Sequence, residues 1–338
     1  MKAFISINRG SGGAEKQFDR LYEAMSERPS IKGHWSYLRC DRAVMSWWST
    51  LACLLRIRNG VVVYNMSVLG IGVFFLLLLK ALGNKIILYP HVVVAPEKSR
   101  PRLWRLRAWL QRLSLGVADH VIMISDGNWF ELEKYLPPGK STAVYNYVEC
   151  ENDAVFTLQP LNRNIAVIGR LQNKHKQQID LVREHGAFIK ELGLVLHFFG
   201  SGPDESELRE QVRILGMQEY AIFHGWQDEE SIFANDFSFV LNISRWEGLP
   251  LSVMEALYRD RIVLASDING NRELVYGDFL FKNHDELRNL LRNVVLDQDI
   301  NISLLQAQKQ RLFKRCNQAR ALATLDSTLL SICQKSGM

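Results

Sequence analysis

The chain has 338 residues, of which 47% are hydrophobic and 23% charged. At about 150 residues per domain this length predicts two domains, and the composition excludes a small disulfide-stapled module, a disordered chain and a polytopic membrane protein. The net charge is +5, but residues 1–150 carry 20 basic and 11 acidic residues, whereas residues 151–338 carry 21 and 25. The first half therefore favours an anionic partner, either a membrane surface or nucleic acid.

Strand-like and helix-like segments alternate through the first half of the chain. Short runs rich in β-branched and aromatic residues predict five strands, at residues 3–7, 61–64, 86–89, 120–124 and 142–145. Segments of helical length separate these strands, and this alternation is typical of a doubly wound parallel α/β sheet.

A glycine-rich turn follows the first predicted strand. Gly12 and Gly13 allow a ligand to approach the backbone closely, and the start of the helix after them favours an anion. The third glycine of a dinucleotide-binding GxGxxG motif is replaced by Glu15. The two glycines are therefore candidate anion-binding residues, and a plain tight turn is the alternative.

Residues 61–79 form a nearly continuous apolar run of 19 residues, which is long enough to cross a bilayer. Asn65 and Ser67 interrupt the run, and Gly70 and Gly72 weaken the start of a helix. We therefore expect a βαβ unit with a buried crossover helix rather than a membrane span. Its parts are a strand at 61–65, a helix at 68–82 and a strand at 85–89.

Residues 98–112 carry six cations and no acidic residue. Leucines at helical spacing and two tryptophans lie among the cations, namely Leu103, Leu106, Leu110, Leu113, Trp104 and Trp109. This pattern is typical of an amphipathic helix on an anionic membrane surface, so we expect a membrane partner and no nucleic acid. The alternative is an ordinary surface helix whose leucines face the core.

The second half repeats the alternation after a polar linker at residues 149–164. Its predicted strands are residues 165–168, 195–199, 221–223, 237–242 and 262–265. We therefore expect two doubly wound domains, 1–150 and 151–338, which face each other across a cleft. The last helical segment, residues 301–332, has no strand after it and is expected to pack across both domains.

Basic residues follow the predicted strand at 165–168, on the edge where parallel sheets bind their ligands. Arg170 places a guanidinium there, and Lys174 and Lys176 place ammonium groups nearby. A guanidinium offers a fork of donors and an ammonium a compact charge, and such a pair suits a diphosphate. A solvated basic loop is the alternative.

Residues 244–257 combine a strand end, a loop and a helix start. Glu247 and Gly248 lie in the loop, Pro250 presets the start of the helix, and Glu255 lies one turn into it. Free amides at a helix start favour an anion, whereas carboxylates accept hydrogen bonds from hydroxyl groups. Phosphate and sugar recognition need both kinds of group.

This segment resembles the retaining glycosyltransferases of family 4, the glycosyl transferases group 1 proteins with the GT-B fold. The resemblance rests on the E-x7-E pair of Glu247 and Glu255 and extends over residues 163–275. In the first half it is fainter and rests on residues 12–15, His91, 118–121, Ser125 and Asn146. It implies an acceptor-binding Rossmann-like domain at 1–150, a donor-binding one at 151–338, and a C-terminal helix that crosses back to the N-terminal domain.

The resemblance also implies roles for individual residues. Glu255 would hold the ribose hydroxyls of a nucleotide-sugar donor, and Glu247 would contact the sugar. Arg170 and a lysine would neutralise the diphosphate, and His91 would lie beside the reacting sugar. The other implied donor contacts are Gly12, Gly13, Gly202, Gly225, Trp226, Gly248, Leu249, Pro250, Leu251 and Ser252.

The lysine departs from the family pattern. The family position falls five residues after Arg170, where this chain has His175, and Lys174 and Lys176 lie on either side. We favour Lys176, because it keeps the register to Asp180 in the helix that follows. Lys174 is retained as an alternative donor contact.

Retention in this family involves no obvious protein nucleophile, because the leaving diphosphate is thought to assist the acceptor on the same face of the sugar. We therefore expect catalytic roles for His91, Glu247, Arg170 and Lys176, and no metal requirement. Residues 297–299 spell the DxD metal signature of another glycosyltransferase fold. They follow a helical run rather than a strand, so we expect no metal there.

The sequence thus predicts a retaining, metal-independent hexosyltransferase that uses a UDP- or GDP-linked sugar, no further cofactor, and a saccharide or lipid-linked acceptor. The expected pathway is bacterial lipopolysaccharide, O-antigen, capsule or exopolysaccharide synthesis. Five cysteines without a CxxC pair and the lack of a signal peptide predict a cytoplasmic protein on the inner face of the cell membrane. The alternatives are a sugar-nucleotide epimerase of GT-B fold and a membrane-anchored protein without enzymatic activity.

Overall fold

The computed structural model of the chain describes residues 1–8, 13–41, 45–66, 71–90, 102–127, 132–148, 154–296 and 300–335. The chain forms two compact units. Unit 1 consists of Met1–Asn146 together with Gln318–Met338, and unit 2 consists of Tyr147–Asn317. The chain therefore leaves unit 1 after Asn146 and returns to it after Asn317.

Unit 1 is built on a six-stranded parallel sheet with the strand order β2-β1-β3-β4-β5-β6. Its strands are β1 (Lys2–Asn8), β2 (Trp35–Asp41), β3 (Val61–Met66), β4 (Lys85–Pro90), β5 (His120–Met123) and β6 (Ser141–Ala143). The central strand β3 is buried from Val61 to Tyr64, as expected for a parallel sheet covered on both faces. The sequence analysis missed β2, an edge strand in which apolar and charged residues are mixed.

Helices cover both faces of this sheet. They are α1 (Gly13–Ser26), α2 (Trp47–Leu54), α3 (Ile71–Ala81), α4 (Arg102–Val117) and the C-terminal helix (Gln318–Lys335). The chain steps from β1 to β2 and then in the opposite direction to β3, β4 and β5, so right-handed crossovers put α1 on one face and α2, α3 and α4 on the other. The contacts agree, because α3 lies between α2 and α4, whereas α1 packs on the C-terminal helix.

The apolar run at 61–79 folds as the predicted βαβ unit, since it forms β3 and most of α3 and is followed by β4. The prediction that its helix is buried is wrong for the outer side of α3. Phe74 and Leu77 are exposed there, because the helix layer has no further element over it among the described residues of unit 1. No helix in the described part of the chain has the length and hydrophobicity that a membrane span needs.

Unit 2 is a second six-stranded parallel sheet, with the strand order β12-β11-β10-β7-β8-β9. Its strands are β7 (Asn164–Ile168), β8 (Val195–Phe199), β9 (Ala221–Gly225), β10 (Phe239–Asn242), β11 (Ile262–Ser266) and β12 (Leu280–Phe281). Its helices are α5 (Asn173–Lys176), α6 (Gln178–Glu191), α7 (Glu205–Ile214), α8 (Glu229–Phe233), α9 (Leu251–Tyr258), α10 (Asn269–Arg272), α11 (His284–Leu290) and α12 (Ile302–Arg315). The predicted doubly wound α/β architecture is therefore present in both units.

The single helix predicted at 301–332 is two helices in the structure, α12 and the C-terminal helix. The break lies at Cys316 and Asn317. Asn317 forms a parallel bridge with Val148, so its backbone pairs with a distant segment of unit 2 instead of continuing the helix. The C-terminal helix then joins unit 1, as the GT-B fold requires.

Candidate functional site

The strand order of unit 2 defines where its ligand edge lies. The chain runs from β7 outward through β8 to β9 and then continues at β10, on the other side of β7. In open α/β sheets ligands bind beyond the carboxyl ends of the strands at such a reversal. The loops that follow β7 and β10 therefore form the candidate site.

Lys176 and Glu247 form a largely buried ion pair in this site. The ammonium of Lys176 donates to Oε1 of Glu247, and the hydroxyl of Ser244 donates to the same oxygen at 2.8 Å. Burial raises the pKa of Glu247, but the positive charge of Lys176 and these hydrogen bonds outweigh burial, so the pKa lies below its ordinary value. Glu247 is therefore a carboxylate at neutral pH.

His175 joins the two loops. Its Nε2 lies 2.7 Å from the carbonyl oxygen of Trp246, and since a carbonyl only accepts, Nε2 carries the proton. The imidazole stacks on the indole of Trp246 at 4.8 Å between centroids, and the amide of Arg245 donates to the carbonyl oxygen of His175 at 2.9 Å. Burial and the charge of Lys176 hold the pKa of His175 below its ordinary value, so the ring is neutral at pH 7.

Two glycines at the carboxyl ends of β7 and β8 lie close to neighbouring residues of the site. Gly169 has φ +145°, and a Cβ there would lie 3.3 Å from Cε of Lys176. A Cβ on Gly202 would lie 2.2 Å from the carbonyl oxygen of Leu171. The close approach at Gly202 is thus to the chain itself, which gives this predicted donor contact a packing role.

Arg170 and the two lysines are separated by the structure. The guanidinium of Arg170 is exposed and makes no ion pair with a described residue, whereas its carbonyl oxygen accepts from Gln178 at 3.0 Å. Lys176 points at Glu247, and Lys174 is exposed. Between α5 and α6, Gln177 adopts a left-handed conformation with φ 50°, which ends the short helix α5.

The second loop leads into α9, whose first turn is capped by no side chain. Pro250 stands at its start, and Leu251 and Ser252 supply backbone N–H groups that the helix itself does not use. Glu255 is buried one turn further on. Anion-binding amides and a carboxylate are therefore on one short helix.

The loop before α9 packs against α10. A Cβ on Gly270 would lie 2.8 Å from the carbonyl oxygens of both Glu247 and Gly248, so only glycine fits at this position. Leu249 is buried beneath the loop. The backbone around Glu247 is therefore held from both sides.

Gly225 ends β9 and Trp226 follows it, on the same edge of the sheet. Gly225 has φ +69° and accepts from the amide of Gly200 at 2.7 Å, while Trp226 is exposed. Beside them, Nδ1 of His197 lies 3.0 Å from Nε2 of His224. The edge thus carries an exposed aromatic ring two strands away from Arg170.

Some of the residues named in the sequence analysis are not part of the β7/β10 edge as described. Gly12, His91 and residues 297–299 lie outside the described residues. Gly13 begins α1 in unit 1 and is exposed. Where the chain is described, no group of three or more His, Cys, Asp and Glu residues is placed to hold a metal ion.

Sequence reasoning missed the contacts that connect the two loops. His175 binds Trp246, and the guanidinium of Arg245 lies 3.1 Å from the carboxylate of Asp180. The contacts of His175 and Asp180 join residues 71 and 65 positions apart in the chain. No local pattern signals such pairs, so only the fold reveals them.

The architecture is that of GT-B glycosyltransferases. HepE of Anabaena in complex with UDP-glucose superposes with a TM-score of 0.76 at 15% identity, over 97% of this chain and 99% of that chain. Sucrose-phosphate synthase of Thermosynechococcus elongatus gives 0.74 at 15% identity, over 98% and 99%. The lipopolysaccharide outer core galactosyltransferase WaaB in its apo form gives 0.65 at 15% identity, over 98% and 99%. At this identity the likeness establishes the fold.

The sequence comparison places the family signature in unit 2. Residues 162–296 match the model of the family described as glycosyl transferases group 1. A comparison of the sequence with curated proteins gives no match. The matched segment includes both loops of the candidate site, so the resemblance noted from the sequence is confirmed there.

Proposed function

We propose that the protein is a retaining glycosyltransferase that transfers a sugar from a nucleotide-sugar donor, with the donor held at the β7/β10 edge of unit 2. The family match and the GT-B fold support a glycosyltransferase with a nucleotide-sugar donor. The observation that carries the assignment of the site is the ion pair of Lys176 and Glu247 beside the exposed guanidinium of Arg170. A diphosphate and a sugar need this combination of cations and carboxylate.

Each charged group has a role in this proposal. Arg170 and Lys176 neutralise the diphosphate, and the N–H groups at the start of α9 add donors. Glu255 accepts hydrogen bonds from the ribose hydroxyls, and Glu247 accepts them from the sugar. When the diphosphate takes up Lys176, the hydroxyl of Ser244 still donates to Glu247 and keeps its carboxylate partnered.

The proposed transfer proceeds on one face of the sugar. The bond between the anomeric carbon and the diphosphate oxygen breaks, the acceptor hydroxyl oxygen forms the new bond from the same side, and its proton passes to the departing diphosphate. Catalysis then consists of stabilising the charge that develops on the diphosphate, which preorganised cations and amides do. His91 is proposed to lie beside the reacting sugar, and the cationic side chains replace a metal ion.

A UDP-sugar is the proposed donor, and a saccharide or lipid-linked acceptor of bacterial surface polysaccharide synthesis is the proposed acceptor. Two neighbours support this proposal, because HepE was solved with UDP-glucose and WaaB is a lipopolysaccharide galactosyltransferase. The cations of α4 support a cytoplasmic protein associated with an anionic membrane surface, which fits a lipid-linked acceptor.

The proposal is tested by thermal unfolding with UDP, GDP and their glucose conjugates. A ligand at about 100 times its dissociation constant adds about 2.7 kcal/mol of stability. We expect UDP to raise the melting temperature of the wild type and of Glu219→Ala, a matched change at an exposed site, but not that of Glu255→Ala. The proposal fails when no nucleotide stabilises the wild type, or when the Glu255→Ala variant is stabilised equally.

Retention is tested on the product. With a UDP-α-glucose donor, the anomeric proton of the product identifies an α linkage by NMR. A β linkage would overturn the retaining mechanism and leave the donor site standing.

A further inference from the structure

The helices α2, α3 and α4 form one layer of unit 1 that carries no acidic residue. Their sequences contain five cations and neither aspartate nor glutamate. One of the five, Lys80, is paired with Asp119, and the other four are arginines of α4. Arg56 and Arg58 follow α2 directly and are exposed. An outer layer with this charge distribution attracts anionic surfaces.

The same layer exposes large apolar side chains. Trp48 is 79% exposed and Phe74 is 55% exposed, and Trp47 and Trp109 are exposed as well. Among the described side chains of unit 1, every exposed tryptophan and phenylalanine lies on this layer. Clustered exposed aromatic residues mark an interaction surface, because a monomer in water gains nothing from exposing them.

The aromatic side chains of α2 and α3 enclose an open groove. The groove has a volume of about 430 Å³ and is lined by Trp47, Trp48, Leu51, Phe74 and Phe75. The lining is apolar throughout, and the rings of Trp47 and Phe75 pack at 5.5 Å between centroids. We call these five residues the aromatic patch. The surface of the groove is formed by apolar atoms, so its partner is apolar at the point of contact.

We propose that the aromatic patch inserts into the interface of an anionic bilayer, to which the layer of α2, α3 and α4 is attracted by its cation-rich sequence without acidic residues. Tryptophan and phenylalanine suit the boundary between headgroups and acyl chains, and arginine suits the phosphates. A second copy of the chain fits less well, because a two-fold contact through this layer would bring its cations against each other. The inference deepens the membrane partner of the proposed function and does not depend on the transfer reaction.

Vesicle binding of the full chain tests the inference. The probes are vesicles of phosphatidylcholine with phosphatidylglycerol and vesicles of phosphatidylcholine alone. We expect the wild type to co-sediment with the anionic vesicles and only weakly with the neutral ones. The double variant Trp48→Ser/Phe74→Ser should partition at least about tenfold more weakly into the anionic vesicles.

A matched pair of changes in unit 2 controls for the loss of exposed apolar area. Val155 and Ile214 are 61% and 59% exposed, and Val155→Ser/Ile214→Ser should bind vesicles as the wild type does. Retained UDP-induced thermal stabilisation would show that the Trp48→Ser/Phe74→Ser variant is folded. If UDP stabilised neither the wild type nor the variants, the donor proposal would be refuted, but the vesicle-binding result would remain valid.

A second measurement stands independently of the variants. Brominated acyl chains should quench the tryptophan fluorescence of the wild type when anionic vesicles are added. The inference is overturned when the double variant binds as the wild type, when no quenching occurs, or when light scattering shows a dimer that the double variant abolishes while vesicles are not bound. The last outcome would assign the patch to a second copy of the chain.

Discussion

Lys176 and Lys174 lie two positions apart, yet the structure gives them different surroundings. Lys176 is largely buried against Glu247, and Gly169 leaves room for its side chain to pass. Lys174 is exposed on the other side of the short helix α5. Two positions in a helix correspond to a rotation of about 200° around its axis, so the two side chains leave α5 in different directions.

Replacing Lys176 tests this difference. In Lys176→Met the buried carboxylate of Glu247 loses its counter-charge, and we expect a loss of about 3 kcal/mol in the free energy of unfolding at pH 7. Loss of the cation should also lower the transfer rate by about 100-fold. Lys174→Met is the matched control and should lie within about 0.5 kcal/mol of the wild type. Urea unfolding and donor turnover measure the two effects.

The same variant has a signature in its pH dependence. In the wild type the pKa of Glu247 is lowered, so its contribution to stability is present above the unfolded value of 4.5 and is lost as the pH falls through the folded pKa. Without Lys176 burial dominates and the pKa rises. The difference in stability between the variant and the wild type should therefore be largest at neutral pH and shrink as the pH becomes acidic. A constant difference would contradict the ion pair.

At the scale of elements, α6 and α11 are joined by two histidines. Nε2 of His185 lies 2.8 Å from Nδ1 of His284, and His185 has no exposed surface. Burial, together with the charges of His284 and Arg288, lowers the pKa of His185 to about 4. The structure thus holds a neutral imidazole between two helices of unit 2.

This contact predicts a pH-dependent stability of unit 2. Because the folded pKa of about 4 lies below the unfolded value of 6.5, the contribution of His185 is present above pH 6.5 and is lost as the pH falls toward 4. The loss amounts to about 3 kcal/mol between pH 7.5 and 4. In urea unfolding, the free energy of unfolding of His185→Gln should therefore fall by about 3 kcal/mol less than that of the wild type over this pH range. His34→Gln, at an exposed histidine, should retain the wild-type slope.

The elements also show what the sequence predicts and why it stops there. Continuous apolar runs such as β3 and β10 are buried on both faces and were predicted, because their composition alone marks them. The edge strand β2 was missed, because one side of an edge strand tolerates polar residues. The break after α12 was missed as well, since it depends on the pairing of Asn317 with Val148, which are far apart in sequence.

The candidate site likewise contains residues that the sequence predicts and contacts that it does not. Arg170, Glu247 and Glu255 were predicted as site residues from local spacing, since each follows a strand or lies in the first turns of a helix. The hydrogen bond from His175 to Trp246 depends on two strands being neighbours in the sheet. It had no local signal, although His175 was visible as a departure from the family pattern.

At the scale of the whole molecule, the C-terminal helix returns the chain to unit 1. This helix belongs to unit 1, although its nearest neighbours in sequence belong to unit 2. Leu322, Leu325 and Leu329 are buried on it. Asp326 accepts a hydrogen bond from Ser30 and lies 3.6 Å from the guanidinium of Arg28.

Truncation after Asn317 should therefore destabilise unit 1 and spare unit 2. Loss of the contacts of three buried leucines lowers the free energy of unfolding of unit 1 by about 6 kcal/mol, at about 2 kcal/mol for each leucine. This loss is enough to unfold unit 1 near room temperature. Hydrogen exchange should show lost protection in β1 and α1 but retained protection in β7 and β10, together with UDP binding. Truncation after Lys335 is the control and should change neither unit. Equal loss of protection in both units would mean that the two units unfold cooperatively. The C-terminal helix would then not stabilise unit 1 alone, and the prediction would be wrong.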